Sequence, residues 1–542
     1  MAYQAPRVKR SGTIWDSILD GWGSIANWLT AERLAMGTFL LFVIAANITI
    51  LYLFLSDRMS LAILVAVLGL IAPLSFFWPH IGLVVFVAVT AGGFVNAIHF
   101  VTEGASGERT LSLVMAVALS ARALWEWVGI PRDKRPKILS GLVFFLLLFQ
   151  SFYLLHIAYI YIFDPDIRGT DIYVKEFAAG FWKPTFRYFD HLPLWLMVIP
   201  AMVILSKPER LKTVIAGFII LALWSTVITV WEYISPLPRE LKIAFKLFQT
   251  GESAEGNRIL SSPGYMLVFF LGMLLVAFKG LNAKLNGFWV WAVFGLVMIA
   301  FASWKGRIIW GLFAASVPFL MFMKPREAVA RHLTTAFAFC LVVAAALFHP
   351  AVNDQATKIW VEVATRFEKT FDPRDYTGQG SFAWRVIEAR YAIDTWSHGT
   401  MFQKWFGQGL QTPYGFYETV PMTRWGFGGT WQKTHIHNQY VGALLRIGIV
   451  GLFLYLLLIG AFFYRLFVVW KVTDNRYARA FVLSLGAFMV SLFIFQAFHI
   501  MISQPEALPI IVIGWAILEL IPYYKRIGFI QDEPKSVEAA AS

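Results

Sequence analysis

Polar side chains that could do chemistry gather where a long polar segment meets a hydrophobic run. His435 and His437 lie two residues apart, Asn438 follows, and an apolar stretch begins directly afterwards. An imidazole can take a proton near neutral pH, so His437 is a candidate general base. A lone histidine before a helix is nevertheless more often structural than catalytic. Two histidines at i and i+2 on a non-helical segment lack the further ligands of a zinc site, so the sequence predicts no metal.

Three arginines could bind a phosphate group. Arg307 follows Lys305 in a short polar stretch between two apolar runs, Arg385 falls in a polar segment, and Arg258 precedes another apolar run. A guanidinium binds two phosphate oxygens at once and keeps its charge at any working pH. On one face of a membrane, these residues predict a site for a lipid-linked diphosphate. Contact with lipid head groups is the alternative for Arg307 and, more strongly, for Arg258.

The composition is that of a membrane protein. The 542 residues are 58% hydrophobic and only 15% charged, whereas soluble domains are nearer a quarter charged. The formal charge of +13 does not indicate nucleic-acid binding, because cytoplasmic loops of membrane proteins are rich in Lys and Arg. We expect an all-α polytopic fold with about 12–14 transmembrane helices. The apolar runs lie near 34–55, 60–78, 81–101, 111–128, 138–162, 192–206, 211–232, 265–279, 288–304, 308–323, 332–349, 439–463, 478–498 and 508–523.

The distribution of charge predicts how these runs are oriented. If the N-terminus is cytoplasmic and the runs alternate, most Lys and Arg of the short loops face the cytoplasm. Residues 1–33 then form a cytoplasmic interfacial amphipathic segment, and 34–349 form helices with short and medium loops. Residues 350–436 form a large loop on the outer side of the membrane, 437–523 the C-terminal transmembrane helices, and 524–542 a cytoplasmic tail. Within the fourth run, Arg122 and Glu126 are four residues apart and are expected to pair.

The large loop has helical patterning of its own. Phe382–Ser397 is predicted to form a helix, because Trp384, Ile387 and Tyr391 fall on one face, with Asp394 next on that face. Glycine-rich turns and many aromatic residues follow this segment. The aromatic rings could stack on sugars or pack as a cap over the membrane body.

These motifs resemble those of the O-antigen ligase and polymerase superfamily of bacterial membrane glycosyltransferases. His437-Asn438, nine residues, and then Gly448-Ile449-Val450-Gly451 are similar to its His-Asn…Gly-x-x-Gly signature at the end of a large periplasmic loop. The stretch Ser303–Trp310 resembles its Ser-Arg-x-x-Trp motif, with extra residues before the arginine. Trp384-Arg385…Trp396…Gly407-x-Gly409 resembles its arginine-bearing loop segment. The resemblance covers about residues 210–520.

The resemblance implies a GT-C-like architecture and a reaction that needs no cofactor and no metal. Enzymes of this kind move a glycan from undecaprenyl diphosphate to an acceptor hydroxyl, with inversion, at the periplasmic face of the bacterial inner membrane. His437 would take the acceptor proton, while Arg307 and Arg385 would neutralise charge on the departing diphosphate. The substrate-binding residues would be Arg258, Lys305, His435 and Asn438.

Two alternatives to a ligase stay open at this point. A ligase would use lipid A–core as the acceptor, which the spacing of the first motif favours. A polymerase would instead extend the sugar end of another undecaprenyl-linked repeat, for O-antigen or exopolysaccharide. A non-catalytic transporter of the same lipid-linked glycan is the third interpretation. The absence of a visible internal repeat and the large one-sided loop weigh against it.

Overall fold

The structure is a computed structural model. It describes residues 59–91, 107–131, 134–163, 193–234, 248–249, 259–261, 265–281, 382–409, 414–415, 432–433, 436–497 and 507–532. The predicted segment 1–33 and the predicted spans 34–55, 288–304, 308–323 and 332–349 lie outside these residues. So do Arg258, Lys305, Arg307 and His435.

Helices dominate the described part of the chain. The bundle contains a 3-10 turn at Pro193–Met197 and the helices α1 (Met59–Phe77), α2 (Pro79–Ala91), α3 (Gly107–Gly129), α4 (Gly141–Phe163), α5 (Val198–Leu205), α6 (Pro208–Ile234), α7 (Tyr265–Gly280), α10 (Gln439–Val472), α11 (Arg476–Phe495) and α12 (Leu508–Arg526). Two further helices precede α10 in the chain, α8 (Phe382–Ser397) and α9 (Met401–Phe406).

The apolar helices make this a helical membrane protein. Among the described residues, five helices are long and apolar enough to cross a bilayer, and five shorter apolar helices accompany them. Large apolar side chains also lie on the outside of the bundle. Leu155 is 71% exposed and Ile220 64% exposed, a surface that hydrocarbon solvates better than water. Each of the ten predicted spans in the described ranges coincides, at least in part, with a helical segment.

The centre of the bundle is α12, in which every residue from Ala507 to Ile521 is buried. Trp515 lies edge-on to Trp195 at 5.7 Å between ring centroids and stacks on Phe462 at 5.3 Å. Aromatic pairs in these geometries add to the free energy gained by burial. This packing ties the 3-10 turn, α10 and α12 into one body.

Basic residues from distant parts of the chain meet at one end of the bundle, here called the basic end. Arg526 donates through Nη2 to the carbonyl of Arg135 at 3.0 Å, and Lys525 donates to the carbonyl of Val472 at 2.7 Å. The Lys212 ammonium lies 6.0 Å from the ring centroid of Phe529. The charge distribution assigns the basic residues Arg135, Lys212, Lys525 and Arg526 to the cytoplasmic side.

Two short antiparallel ladders accompany the helices. In β1 and β2, Phe248–Gln249 pairs with Ile259–Ser261. In β3 and β4, Tyr414 lies opposite Lys433 and Gly415 opposite Gln432. The second ladder returns the chain from the region after α9 to the segment that leads into α10.

Candidate functional site

His437 forms a short polar contact with an acidic residue of α8. Its Nδ1 lies 2.5 Å from Oε2 of Glu388, and its backbone N–H donates to the same oxygen at 3.3 Å. The Glu388 side chain is 1% exposed and the His437 side chain 17% exposed. Since a carboxylate only accepts hydrogen bonds, the pairing assigns the proton to Nδ1 and leaves Nε2 as the acceptor.

Apolar packing holds α8 against the start of α10. Ala392 of α8 is buried with Ile436 and Leu445, and Ile387 and Tyr391 pack against this cluster. The predicted helix Phe382–Ser397 is confirmed with the same bounds, and Ile387 and Tyr391 face inward as expected. Asp394 instead has a half-exposed side chain beside His398. Glu388 lies on the buried side of α8, one turn before Ala392. This position brings the Glu388 carboxylate to His437.

Asn438 begins α10 by capping its first turn. Its side-chain oxygen accepts from the backbone N–H groups of Tyr440 and Val441, at 3.0 Å each. A cap of this kind satisfies donors that have no partner inside the helix. It also fixes the direction in which the chain leaves His437. The motif resemblance assigns Asn438 to substrate binding, whereas the structure shows its oxygen in this cap.

The start of α10 is fastened to the end of α11. The backbone N–H of Gln439 donates to the Gln496 carbonyl at 2.8 Å, and the Tyr440 hydroxyl donates to the Phe493 carbonyl at 2.7 Å. From Arg476 to Gln496 a helix rises about 30 Å, which is roughly the thickness of the bilayer hydrocarbon core. The His437–Glu388 pair therefore lies at the end of α11 away from the basic end, beside a helix that is long and apolar enough to cross a bilayer. This end is called the site end.

A sharp bend at Gly448 divides α10 into a short outer segment and a long span. Gly448 has φ +70° and ψ −172°, a region that is open to almost no residue but glycine. The rings of Tyr440 and Tyr455 lie 6.2 Å apart, although a straight helix would separate the two residues by about 22 Å. The bend thus folds the outer segment back toward α11 and brings His437 over the site end of the bundle.

The turn after α9 fills the inside of this bend. The backbone N–H groups of Gln408 and Gly409 donate to the carbonyls of Leu445 and Arg446, at 2.9 and 3.1 Å. His156 of α4 contacts the Arg446 carbonyl through Nε2 at 2.8 Å. These bonds replace helix bonds that the bend breaks. A Cβ atom on either Gly407 or Gly448 would lie closer than 3.0 Å to the backbone of the other segment, so both positions need glycine.

Arg385 is the predicted phosphate-binding arginine that the structure describes. It is half-buried on α8, one turn before Glu388, and residues at i and i+3 are neighbours on a helix surface. The structure therefore brings Arg385, Glu388 and His437 to the same end of the bundle. Within the described ranges, no group of three or more His, Cys, Asp or Glu residues is arranged to hold a metal ion.

Sequence reasoning missed Glu388 because its partner lies 49 residues further along the chain. The available signal was the position of an acid beside Ile387 and four residues before Ala392, on the apolar side of a helix. A carboxylate placed there is costly unless a specific group pairs with it.

Compared with known proteins, the chain matches no family model and no curated protein.

Proposed function

We propose that the chain is a membrane glycosyltransferase of the O-antigen ligase and polymerase type. It moves a glycan from undecaprenyl diphosphate to an acceptor hydroxyl of lipid A–core at the periplasmic face of the inner membrane. The observation that supports this best is the 2.5 Å contact between Glu388 and His437, at the start of the long apolar helix α10. A histidine oriented by a buried carboxylate is an arrangement suited to a general base.

In the proposed reaction, Nε2 of His437 takes the proton of the acceptor hydroxyl. The acceptor oxygen attacks the anomeric carbon, the bond from that carbon to the diphosphate oxygen breaks, and the configuration inverts. The diphosphate leaves with the electron pair. Glu388 is a positioning residue that holds the imidazole and stabilises the imidazolium formed in the transition state.

The remaining assignments follow from the sequence motifs. Arg385, one turn before Glu388 on α8, would neutralise charge on the leaving diphosphate. Arg307 serves the same purpose in this proposal, and Arg258, Lys305 and His435 bind the substrate. Asn438 serves by fixing the helix start that presents His437.

The test is glycan transfer by the full-length protein in vesicles that contain an undecaprenyl-diphosphate-linked glycan and lipid A–core. Wild-type protein should transfer glycan, and His437→Ala should insert normally but fail to do so. The matched control is His398→Ala, which replaces a histidine whose side chain is 78% exposed at the end of α8. Transfer at the wild-type rate by His437→Ala would overturn the proposal.

The product distinguishes the two kinds of acceptor. Glycosylated lipid A–core identifies a ligase. Longer undecaprenyl-linked chains made without lipid A–core identify a polymerase, which uses the same base and the same leaving group. A chain that only moves the lipid-linked glycan across the bilayer would make neither product.

A further inference from the structure

An elongated apolar slot lies between α6, α7, α11 and α12. Its volume is about 340 Å³, and Ile215, Leu274, Phe481 and Ile517 are among the residues that line it. None of the His437 site residues borders it. The slot is therefore separate from the His437 site.

The slot follows the helix axes. Along α12 its lining residues run from Ile510 to Tyr524, which corresponds to about 21 Å at the rise of an α-helix. Along α7 they run from Leu267 to Phe278. Apart from Gly514, aliphatic and aromatic side chains form these two walls. A long slot of this chemistry fits an extended hydrocarbon chain and offers no partners to a polar solute.

The polar residues of the lining lie at the basic end. There the slot reaches Lys212, Asn475 and Tyr477, and the Lys212 ammonium lies over the Phe529 ring. Next to this rim are two ion pairs, Arg479 with Asp474 and Lys525 with Asp532. Both of these acids are paired with a cation, and among the residues that line the slot Lys212 carries the one charged side chain. Basic pockets between transmembrane helices are typical binding sites for anionic lipid head groups.

We propose that the slot binds one anionic phospholipid. One acyl chain lies along α7 and α12, and the phosphate of the head group meets Lys212 at the basic end. The apolar walls hold the chain whatever the head group, and the lysine provides the preference for a negative charge.

The experiment compares lipid retention by the full-length protein in detergent. The protein is incubated with equal amounts of phosphatidylglycerol and phosphatidylcholine that carry the same chains, washed, and examined by native mass spectrometry. Wild-type protein should retain one phosphatidylglycerol in preference to phosphatidylcholine. Lys212→Gln should reduce that preference about fivefold, as expected for removing one basic residue near an anionic head group.

A second variant tests the slot itself. Leu274 is half-buried, so Leu274→Trp should fill the slot and abolish retention of both lipids. Its matched control is Leu155→Trp, which places an indole on the exposed outer surface of α4 and should retain lipid normally. The thermal midpoint of each variant shows whether it is folded. Since Lys212 is exposed, Lys212→Gln should fold in any case.

Several results would overturn the proposal. They are equal retention of both lipids by wild-type protein, an unchanged preference in Lys212→Gln, and undiminished retention in folded Leu274→Trp. Preferential retention of a polyprenyl phosphate over phosphatidylglycerol at equal concentration would also do so, because it would assign the slot to a different lipid.

Discussion

Glu388 at the site end and Glu126 at the basic end are both buried carboxylates, but their partners differ. Glu126 accepts two bonds from Arg210, at 2.6 and 2.7 Å, and one from Arg122 at 2.8 Å. Glu388 contacts the imidazole of His437. A guanidinium keeps its proton at any working pH, whereas an imidazole gains and loses one near neutrality.

A buried glutamate therefore has a different role at each end of the bundle. At the basic end, Glu126 joins α3 to α6 by fixed charges, as Glu519 joins α12 to α10 through Arg465 at 2.9 Å. At the site end, Glu388 orients a group that can exchange a proton. Substitutions at the basic end should mainly change stability, and substitutions at the site end should mainly change activity.

The largest expected effect is that of His437→Ala on transfer. Loss of a general base lowers the rate by about 10²–10⁴-fold, and we expect the upper part of this range because the buried Glu388 orients this imidazole. The measurement is the initial rate of glycan transfer per folded molecule. A rate within tenfold of wild type would show that the site-end pair does not do proton chemistry.

Glu126→Gln should have the largest effect on stability. Removing one partner of a buried ion pair costs about 3–5 kcal/mol, and here it leaves Arg122 and Arg210 facing each other. The thermal midpoint in detergent should fall clearly, while the transfer rate per folded molecule stays within about twofold. Asp474→Asn is the matched control, because its pair with Arg479 is partly exposed and worth about 1 kcal/mol or less. Equal effects of the two substitutions would remove the contrast between buried and exposed acids.

Glu388→Gln should lower the transfer rate by about 10²-fold, less than the loss of His437 itself. Glutamine nearly matches glutamate in shape but cannot stabilise an imidazolium. The loss should appear in kcat rather than in KM, because the carboxylate stabilises a charge that forms only in the transition state. Asp394→Asn on the same helix is the control and should keep the wild-type rate. If Glu388→Gln lowers stability but leaves the transfer rate per folded molecule unchanged, the carboxylate has only a structural role.

Gly448→Ala should weaken the site end without touching a polar group. Alanine at this backbone conformation costs about 1–3 kcal/mol, and its Cβ would press on Trp405 and Gly407. Gly460→Ala in the same helix meets no atom within 4 Å and should be neutral, or stabilising by up to about 1 kcal/mol. The comparison uses thermal midpoints and transfer rates for both variants. An unchanged midpoint and rate in Gly448→Ala would argue against the bend.

The smallest expected effect is that of Asp532→Asn, which changes an acid just after α12 at the basic end. The Lys525 ammonium and the backbone N–H of Asp474 hold the pKa of Asp532 below its ordinary value. A depressed folded pKa contributes stability above the unfolded value of about 3.9, and that contribution is lost as the pH falls through the folded value. Asp532→Asn should therefore lower the thermal midpoint slightly at about pH 6, and the difference from wild type should shrink as the pH falls below about 4. A difference that does not shrink at acid pH would have another cause.

Hydropathy predicts most of this fold because a span of about 20 apolar residues has few alternatives in a bilayer. The sequence also predicts the pairing of Arg122 with Glu126, which is a local i, i+4 contact, and the structure confirms that pair. The helix at Phe382–Ser397 follows from its own periodicity. Each of these features depends on neighbours in the sequence.

The features that escape sequence reasoning depend on distant neighbours. The bend at Gly448 forms against residues 405–409, and the apolar run through it reads as an uninterrupted span. Arg210, which also pairs with Glu126, lies 84 residues further along the chain, beyond α4. His437 was found from its residue type and its motif, but Glu388 becomes visible only when α8 packs on α10.

The bonds to Gln496 also tie the site end to a helix that follows it in the chain. Gln496 contacts Gln439 and Tyr455, which lie on opposite sides of the bend at Gly448. Because α11 is synthesised after α8 and α10, these two bonds can form only after the residues of the site have been synthesised. The packing of α8 on α10 needs no residue of α11, so α11 is the last element to be added around the bend.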